Sequence, residues 1–474
     1  MPIAVTPDQV ALQAAIRDWA KQAGPLAAVR RLEPGGPAES AASYLTEVAS
    51  LGVFSIAVPG EAGGAGGTLA DLAAALEQLA IALVPGPVMP TVLAGLLFTA
   101  AGATAPLPAL AAGQLTVAVA LTAGLLTGTR AADGTLRVTG RAGPVLGAGT
   151  TSHLLLGCAT EAGDAWFWIA ADHPGATVAA RRPVDFSRSL ADVTLTGAAV
   201  PAAQILTGLE GARVRDLAAT VYAAEAAGVG AWCSGIAADY AKARRQFGRP
   251  IGEFQAVKHL CATMACRAER AAALAWDAAR AAGEAPGEHP LAAAAAAALV
   301  LDDAVDNAKD CIQVLGGIGF TWEHDAHLYL RRALALRALL GGSRAWRIRT
   351  AELAAARGDP RGVQGDGSLP RGGRGDRRSL PRGVWGARGN GGTGSPPVRR
   401  GGLGGIVPPE ETLPSAPGRV PRSRSTAPAP SANVFSHPPA TAASPGASCS
   451  ASPRRAPTWP RCGPGPCAPK GAGG

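Results

Sequence analysis

The architecture of this 474-residue chain is indicated most specifically by residues 240–259, which read Tyr240-Ala-Lys-Ala-Arg-Arg-Gln-Phe-Gly248-Arg-Pro-Ile-Gly-Glu-Phe-Gln255-Ala-Val-Lys-His259. The stretch predicts a helix end, a turn rich in glycine and proline, and the start of a second helix. An arginine fork can grip a diphosphate, and an aromatic and an amide side chain beside it suit a dinucleotide. Neutralisation of the helix C-terminus is the alternative role for the arginines.

A second informative stretch follows about 60 residues later and reads Gln313-Val-Leu-Gly316-Gly317-Ile-Gly319-Phe320-Thr321. It predicts a helix that ends in a run of glycines. Such a run lets the backbone approach a ligand closely, although it is also an ordinary way to cap a helix. No strand precedes it, so it is not a Rossmann fingerprint.

The order of elements around these stretches is helix, strand, helix. Helical periodicity is predicted over Pro7–Lys21 (with Thr6 as N-cap), Ala41–Leu51 and Leu69–Leu83, and again over 212–245, 255–282, 290–315 and 324–356. Short stretches rich in Val, Thr, Leu and aromatic residues between them predict strands at Leu115–Leu121, Thr135–Thr139, Ser152–Gly157, Ala165–Ala170 and Asp192–Leu195.

The net charge of +9 is unevenly distributed along the chain. From Gly358 onward there are 16 Lys and Arg against 5 Asp and Glu, which leaves 28 against 30 in residues 1–357. Residues 358–474 are rich in Gly, Pro and Arg and predict a disordered tail, with an out-of-frame reading of a GC-rich gene as one origin. An RNA-binding tail is the alternative, but nucleic acid is not expected as a partner of the folded part.

Several classes of protein are not expected. No apolar run reaches the ~20 residues of a membrane span, and the N-terminus shows no secretory signal. The cysteines lack zinc-type spacing and are expected to be buried thiols, which favours a reduced, cytoplasmic protein.

His324 and His327 are three residues apart but lack a third ligand, so packing and capping are preferred to metal binding. Asp302, Asp303 and Asp306 indicate a solvated or Arg-paired helix face.

Residues 1–357 resemble the acyl-CoA dehydrogenase family of flavoproteins, through the two stretches above and a third, Val58-Pro-Gly-Glu-Ala-Gly63-Gly64-Ala-Gly66-Gly67. The resemblance implies a mainly α fold with a central β-domain. Its parts are an N-terminal helical domain (1–115), an antiparallel β-domain (116–208) and a C-terminal four-helix bundle (209–357), assembled as an oligomer.

The resemblance also implies an activity. Members oxidise the Cα–Cβ bond of an acyl-CoA: a carboxylate removes the α proton, the N5 atom of FAD accepts the β hydride, and an electron-transfer flavoprotein takes the electrons. By the family pattern, Arg244, Gln246, Phe247 and Gln255 contact the FAD of a neighbouring subunit. Gln313, Gly316 and Gly317 line its adenosine and diphosphate end.

The chain departs from the family where a base is needed. Gly341 stands at the usual place of the catalytic glutamate, and Thr220 at the alternative place on the first bundle helix; neither is an effective base. Glu225 is the nearest carboxylate but lies about 140° further around that helix. It is a candidate base if its pKa is raised, and a partner for an arginine in the bundle otherwise.

The motifs that face the flavin ring are also missing, since the chain reads Thr122-Ala-Gly-Leu-Leu-Thr-Gly-Thr and Gly143-Pro-Val-Leu-Gly147 at their places. Half of a site is therefore expected. The hypothesis that follows is a subunit resembling the base-lacking subunit of actinobacterial heteromeric acyl-CoA dehydrogenases, which pairs with a paralogous subunit. The alternatives are a self-sufficient enzyme with an unusual base and a flavin-free structural paralogue.

Overall fold

The computed structural model describes residues 5–32, 40–123 and 125–358, and the predicted tail from residue 359 onward lies outside these ranges. The helices are α1 (Pro7–Ala23), α2 (Pro25–Arg31), α3 (Ser40–Ser50), α4 (Leu69–Ile81), α5 (Val88–Ala100), α6 (Leu107–Ala111), α7 (Gly211–Ala243), α8 (Gln255–Glu284), α9 (His289–Leu315), α10 (Ala326–Leu339) and α11 (Ser343–Gly358). The strands are β1 (Val117–Val119), β2 (Thr127–Arg130), β3 (Leu136–Leu146), β4 (His153–Thr160), β5 (Gly163–Ala170), β6 (Ala176–Arg181), β7 (Leu190–Val200), β8 (Ile205–Leu206), β9 (Arg245–Gln246) and β10 (Arg249–Pro250). A mainly helical fold with a central sheet is confirmed.

Helix starts follow the side chains that cap them. Thr6 caps α1 and Thr68 caps α4, each accepting a hydrogen bond from the backbone N–H three residues on. In both cases the side chain at that third position returns a bond to the cap backbone, which completes a capping box. The expected cap at Thr6 is confirmed.

One sheet contains β1 to β8, in the order β6-β7-β3-β2-β4-β5-β8, with β1 paired to β4. The prediction of an antiparallel β-domain is wrong at one strand, because β4 pairs in parallel with β1 and, at Thr127–Ala159, with β2. Both strands lie along the same edge of β4 and run in the same direction, one after the other. The remaining pairs of the sheet are antiparallel.

The four predicted bundle segments require one correction. The segments at 212–245, 255–282 and 290–315 correspond to α7, α8 and α9, but the segment at 324–356 consists of two helices, α10 and α11. Gly341 and Gly342 separate them with φ of 84° and 79°, a left-handed conformation that interrupts a right-handed helix.

Two hydrophobic cores hold these elements. One is continuous from the N-terminal helices through the bundle and includes much of α4, α5, α7 and α9. The other lies on the inner face of the sheet and includes Leu136, Val138, Phe167 and Val193. The ends of β1, β3 and α10 meet α7 at Tyr222, in the interior of that helix, where the sheet adjoins the helices. This junction contains the candidate site.

Candidate active site

A pocket of about 230 Å³ opens at the junction of the sheet and the helices. Both segments that replace the flavin-ring motifs contribute to it, the first through Thr122 and Leu125 and the second through Gly143, Pro144, Val145 and Leu146. The structure therefore brings together two segments with 13 residues of sequence between them. The other described residues that line the pocket are Val119, Ala120, Leu121, Arg141, Ala142, Tyr222, Ala338 and Leu339.

None of these described lining residues is a carboxylate, so they offer no ordinary base for removing a proton from carbon. Gly341 follows the lining residue Leu339 by two positions and has no side chain. A second apolar cavity of about 160 Å³ shares Pro144, Leu146, Ala338 and Leu339 with the pocket. Asp185 is the only acid among the described residues that line this cavity, and it is engaged in an ion pair with Arg332.

Thr220, the other expected position of a base, is fully buried inside the bundle and does not line the pocket. Its hydroxyl donates to the Asp216 carbonyl at 2.9 Å and lies 2.9 Å from Nε2 of His289. Arg213 donates to Nδ1 of His289, so the proton of the neutral imidazole lies on Nε2 and points to Thr220. Burial, together with the Arg213 charge, lowers the pKa of His289 to about 4.

Glu225 is 2% exposed and belongs to a buried ion-pair cluster, not to the pocket. Arg188 donates to both of its carboxylate oxygens, and Nη1 of Arg332 donates to Oε1 at 2.7 Å. Arg332 also pairs with Asp185 and donates to Oγ of Ser187 at 2.7 Å. Burial raises the pKa of Glu225, but the two arginine charges outweigh burial and hold that pKa below its ordinary value. This geometry fits the alternative in which Glu225 satisfies arginines of the bundle.

The expected nucleotide-binding residues lie at the turn between α7 and α8. Strands β9 and β10 form a small hairpin whose tip, Phe247, has φ of 51° and is 91% exposed. Gln246 donates to the Arg245 carbonyl, and Gln255 is the exposed first residue of α8. The Arg244 guanidinium makes no hydrogen bond or ion pair with any residue that the structure describes, so its donors are available to a ligand.

Gln313, Gly316 and Gly317 lie at the C-terminal end of α9. Gly316 has φ of 64° and ψ of −136°, and a Cβ atom at either glycine would meet no atom within 4 Å. Helices α8 and α9 are antiparallel, as the Arg267–Asp310 and Arg270–Asp303 ion pairs show. The end of α9 therefore lies at the same end of the bundle as the start of α8, and the two glycine-containing stretches share that end.

The remaining candidates have structural contacts. His324 precedes α10, and its Nδ1 accepts a hydrogen bond from the Ala326 N–H, so the expectation that it lies on the helix is wrong. His327 packs edge-on against the Trp322 ring. Asp302 pairs with Arg337 and Arg347, and Asp303 pairs with Arg270, so these two acids are Arg-paired as expected. Asp306 is half-exposed and pairs with Lys309 at 3.8 Å.

Across the described ranges, no group of three or more His, Cys, Asp and Glu side chains could hold a metal ion. Within the same ranges no helix is both long and apolar enough to cross a membrane.

Sequence reasoning missed two polar residues of the pocket, Tyr222 and Arg141, and the acid and arginine partners of Glu225. Tyr222 carried a signal, because it is a lone polar aromatic residue in an alanine-rich run two positions after Thr220. Asp185, Arg188 and Arg332 carried none, since they are separated from Glu225 by 37 or more residues.

Comparison with known proteins gives matches over both helical parts. The family model described as acyl-CoA dehydrogenase, N-terminal domain, matches residues 6–105, and the one described as acyl-CoA dehydrogenase, C-terminal domain, matches residues 216–352. Acyl-CoA dehydrogenase IpdE2 of Mycobacterium tuberculosis is 34% identical over 327 residues, which are 69% of this chain and 90% of IpdE2. Acyl-CoA dehydrogenase FadE34 of the same organism is 45% identical over 364 residues, or 75% of this chain; the chain spans only about half (49%) of FadE34.

Solved structures show the same fold. A variant of the Tcur3481-Tcur3483 steroid ACAD has a TM-score of 0.68 at 26% identity and covers 74% of this chain and 98% of that chain. The ChsE4-ChsE5 complex from Mycobacterium tuberculosis has a TM-score of 0.67 at 24% identity, with 75% and 99% covered. The fold seen in these structures agrees with the matches to both family models and to IpdE2, which is matched over most of its length. The chain therefore belongs to the acyl-CoA dehydrogenase family, whose members are oxidoreductases acting on CH–CH bonds.

Proposed function

We propose that this chain is one subunit of a hetero-oligomeric, FAD-dependent acyl-CoA dehydrogenase, whose paralogous partner supplies the base and the missing contacts to the flavin ring. One observation carries the proposal. The pocket where the ring and the reacting carbons are expected has no carboxylate among its described lining residues, whereas the expected nucleotide-binding residues are exposed or, at Gly316, half-buried. A homo-oligomer of this chain would repeat the same defect in every site, and a paralogous subunit removes it.

The adenosine and diphosphate end of FAD fits the residues at the α7–α8 turn and the end of α9. The Arg244 guanidinium, which has no partner among the described residues, offers two parallel donors to a diphosphate, and Phe247 presents an exposed ring. Gly316 and Gly317 leave the backbone open to close approach. The proposed cofactor contacts are therefore Arg244, Gln246, Phe247, Gln255, Gln313, Gly316 and Gly317. When bound, FAD would supply the hydride acceptor for Cα–Cβ oxidation.

The ion-pair cluster argues against a self-sufficient enzyme that uses Glu225. A base must reach the proton it removes, and Glu225 faces Arg188 and Arg332 outside the pocket. Its lowered pKa also makes it a weak proton acceptor. The partner subunit is therefore assigned the proton transfer, and this chain the binding of nucleotide and part of the acyl-CoA.

Further elements of the proposal rest on the family. An electron-transfer flavoprotein would accept the electrons, and two similar structures are described by paired protein names, one of them as a complex. We take 1–115, 116–208 and 209–357 as the domain boundaries, close to the starts of β1 and α7. A cytoplasmic location is consistent with the five free cysteines in the described ranges.

Co-expression with candidate paralogous subunits tests the proposal. We expect the chain purified alone to lack bound FAD and dehydrogenation, and the co-purified complex to show the absorbance of a bound flavin that acyl-CoA bleaches. Bound FAD together with acyl-CoA oxidation by the chain alone would refute the need for a partner. A complex that forms without any flavin absorbance would instead identify the chain as a flavin-free structural paralogue.

A further inference from the structure

One tyrosine that lines the pocket has a hydroxyl without a hydrogen-bond partner in the described protein. Tyr222 is 2% exposed and lines the pocket, and its hydroxyl makes no hydrogen bond with any described residue. The hydroxyls of two other tyrosines donate to backbone carbonyls, Tyr44 to Ala23 at 2.8 Å and Tyr329 to Ile81 at 2.6 Å. The Tyr222 hydroxyl lacks such a partner among the described residues and lines the pocket, so it is available to whatever occupies the pocket.

The Tyr222 hydroxyl is a donor and not a base. Burial raises the pKa of Tyr222 above its ordinary value. The charge of Arg188 lowers this pKa and the charge of Glu225 raises it, and burial outweighs both. The phenol therefore keeps its proton and presents it to an acceptor. Most of the surrounding lining residues have apolar side chains, so few groups of this chain compete with a ligand for the hydroxyl.

A positive charge lies at the rim of the same pocket. The Arg141 side chain is 59% exposed and forms an ion pair with Asp192, which also pairs with Arg181 at 2.8 Å. Two arginines thus share one carboxylate, and one positive charge remains uncompensated within this group. Such a rim favours a ligand that carries a negative charge next to the part that enters the pocket.

We propose that Tyr222 donates a hydrogen bond to a carbonyl oxygen of the ligand in this pocket, while Arg141 faces an anionic group of the same ligand. The inference rests on the proposed function and deepens it. Two ligands share this chemistry: a flavin dinucleotide, through a ring carbonyl and its diphosphate, and an acyl-CoA, through the thioester carbonyl and the phosphates of CoA. Either way, Tyr222 is a ligand-contacting residue supplied by this chain.

The test uses the co-purified complex, with Tyr222→Phe in this chain and Tyr240→Phe as the matched control. FAD and octanoyl-CoA are the two probes, with dissociation constants measured by titration and the flavin spectrum recorded at saturation. Loss of one neutral hydrogen bond predicts about tenfold weaker binding of the ligand that uses Tyr222. If FAD is that ligand, its visible absorption band also shifts in Tyr222→Phe; if octanoyl-CoA is, only its affinity falls.

Arg141→Gln, compared with Arg137→Gln on the same strand, tests the rim. We expect Arg141→Gln to bind the same ligand about threefold more weakly than the wild type. The affinity of the wild type and of Arg137→Gln should fall as the salt concentration rises, whereas the affinity of Arg141→Gln should lose this dependence on salt. Tyr222→Phe should leave the melting temperature unchanged, because no internal hydrogen bond is lost.

The inference is overturned if wild type and Tyr222→Phe bind both probes with affinities equal within twofold. It is also overturned if Tyr222→Phe lowers the melting temperature without changing either affinity. If the wild-type complex binds neither probe, the proposed function and the inference are both refuted, and this outcome is recognised in the wild type before any variant is measured.

Discussion

Replacement of Glu225 by Gln should destabilise the protein strongly. Glu225, Asp185, Arg188 and Arg332 form a cluster with two charges of each sign, and each side chain is at most 7% exposed. The substitution removes one negative charge and leaves a buried net charge of +1. It also weakens the bonds that Arg188 donates to both oxygens and that Arg332 donates to one.

The size of the effect follows from burial. Breaking a buried ion pair by removing one partner costs about 3–5 kcal/mol, because the remaining charge is left without compensation. An unfolding entropy of about 2.1 cal/mol/K per residue means that each kcal/mol lowers the melting temperature of a fold of about 350 residues by about 1.3 °C. A loss of about 4–7 °C is therefore expected for Glu225→Gln. Thermal unfolding followed by circular dichroism measures it.

Glu284→Gln is the matched control, since Glu284 pairs with Arg280 at 3.0 Å but is 69% exposed. Its melting temperature should change by less than about 2 °C. The double variant Glu225→Gln with Arg188→Gln should lose less than the sum of the two single losses, because it restores charge balance. A Glu225→Gln protein that melts within about 2 °C of wild type would show that the cluster does not stabilise the fold.

Three further predictions address packing, pH and the nucleotide end. Gly228→Ala should lower the free energy of unfolding, measured in urea, by about 1–3 kcal/mol, because a Cβ there would lie 2.2 Å from the Glu77 carbonyl oxygen. The control Gly235→Ala on the same helix adds a Cβ that meets no atom within 4 Å, so it should be neutral or stabilising. Equal effects of the two substitutions would contradict this prediction. The free energy of unfolding of the wild type should fall as the pH drops from 6.5 towards 4, because His289 is neutral in the folded protein and takes up a proton on unfolding. His289→Gln should remove this contribution to the slope of stability against pH. Identical slopes for the two proteins would refute the prediction. Phe247→Ala should leave the melting temperature unchanged, since the side chain is 91% exposed. It should weaken the binding of FAD to the co-purified complex about 3–10-fold. An affinity equal to that of the wild type would exclude Phe247 from the cofactor site.

Periodic helices could be predicted from the sequence because their apolar spacing repeats. The leucines of α4 and its Thr68 cap are local signals, and the expected range of 69–83 differs from Leu69–Ile81 by two residues. Helix α5 was missed because three prolines precede or enter it. Pro90 lies in its first turn, where no internal hydrogen bond requires an N–H.

Strands β2 and β6 were missed for a different reason. Most of their residues are exposed or partly exposed, so neither strand has the alternation of buried and exposed side chains that predicts a half-buried strand. The break between α10 and α11 was visible as Gly341-Gly342, but a glycine pair alone does not distinguish a helix break from a tolerated defect.

The absence of a base could be read from single positions, and the lining of the pocket could not. Gly341 and Thr220 were identified because a family pattern assigns a role to each position. Tyr222 and Arg141 come together only when a helix and a strand about 80 residues apart pack against each other. The same holds for Glu225, whose lowered pKa depends on Arg188 and Arg332, which no local pattern connects to it.

The conformation of Gly341 bears on how the proposed division of labour between paralogous subunits arises. A side chain added there would enter open space, since no atom lies within 4 Å of its Cβ position. The obstacle is the left-handed backbone at φ 84°, which costs an L-residue about 1–2 kcal/mol. One substitution at this turn can therefore remove or restore a side chain without rebuilding the fold, so division of labour between duplicated genes needs little accompanying change at this position.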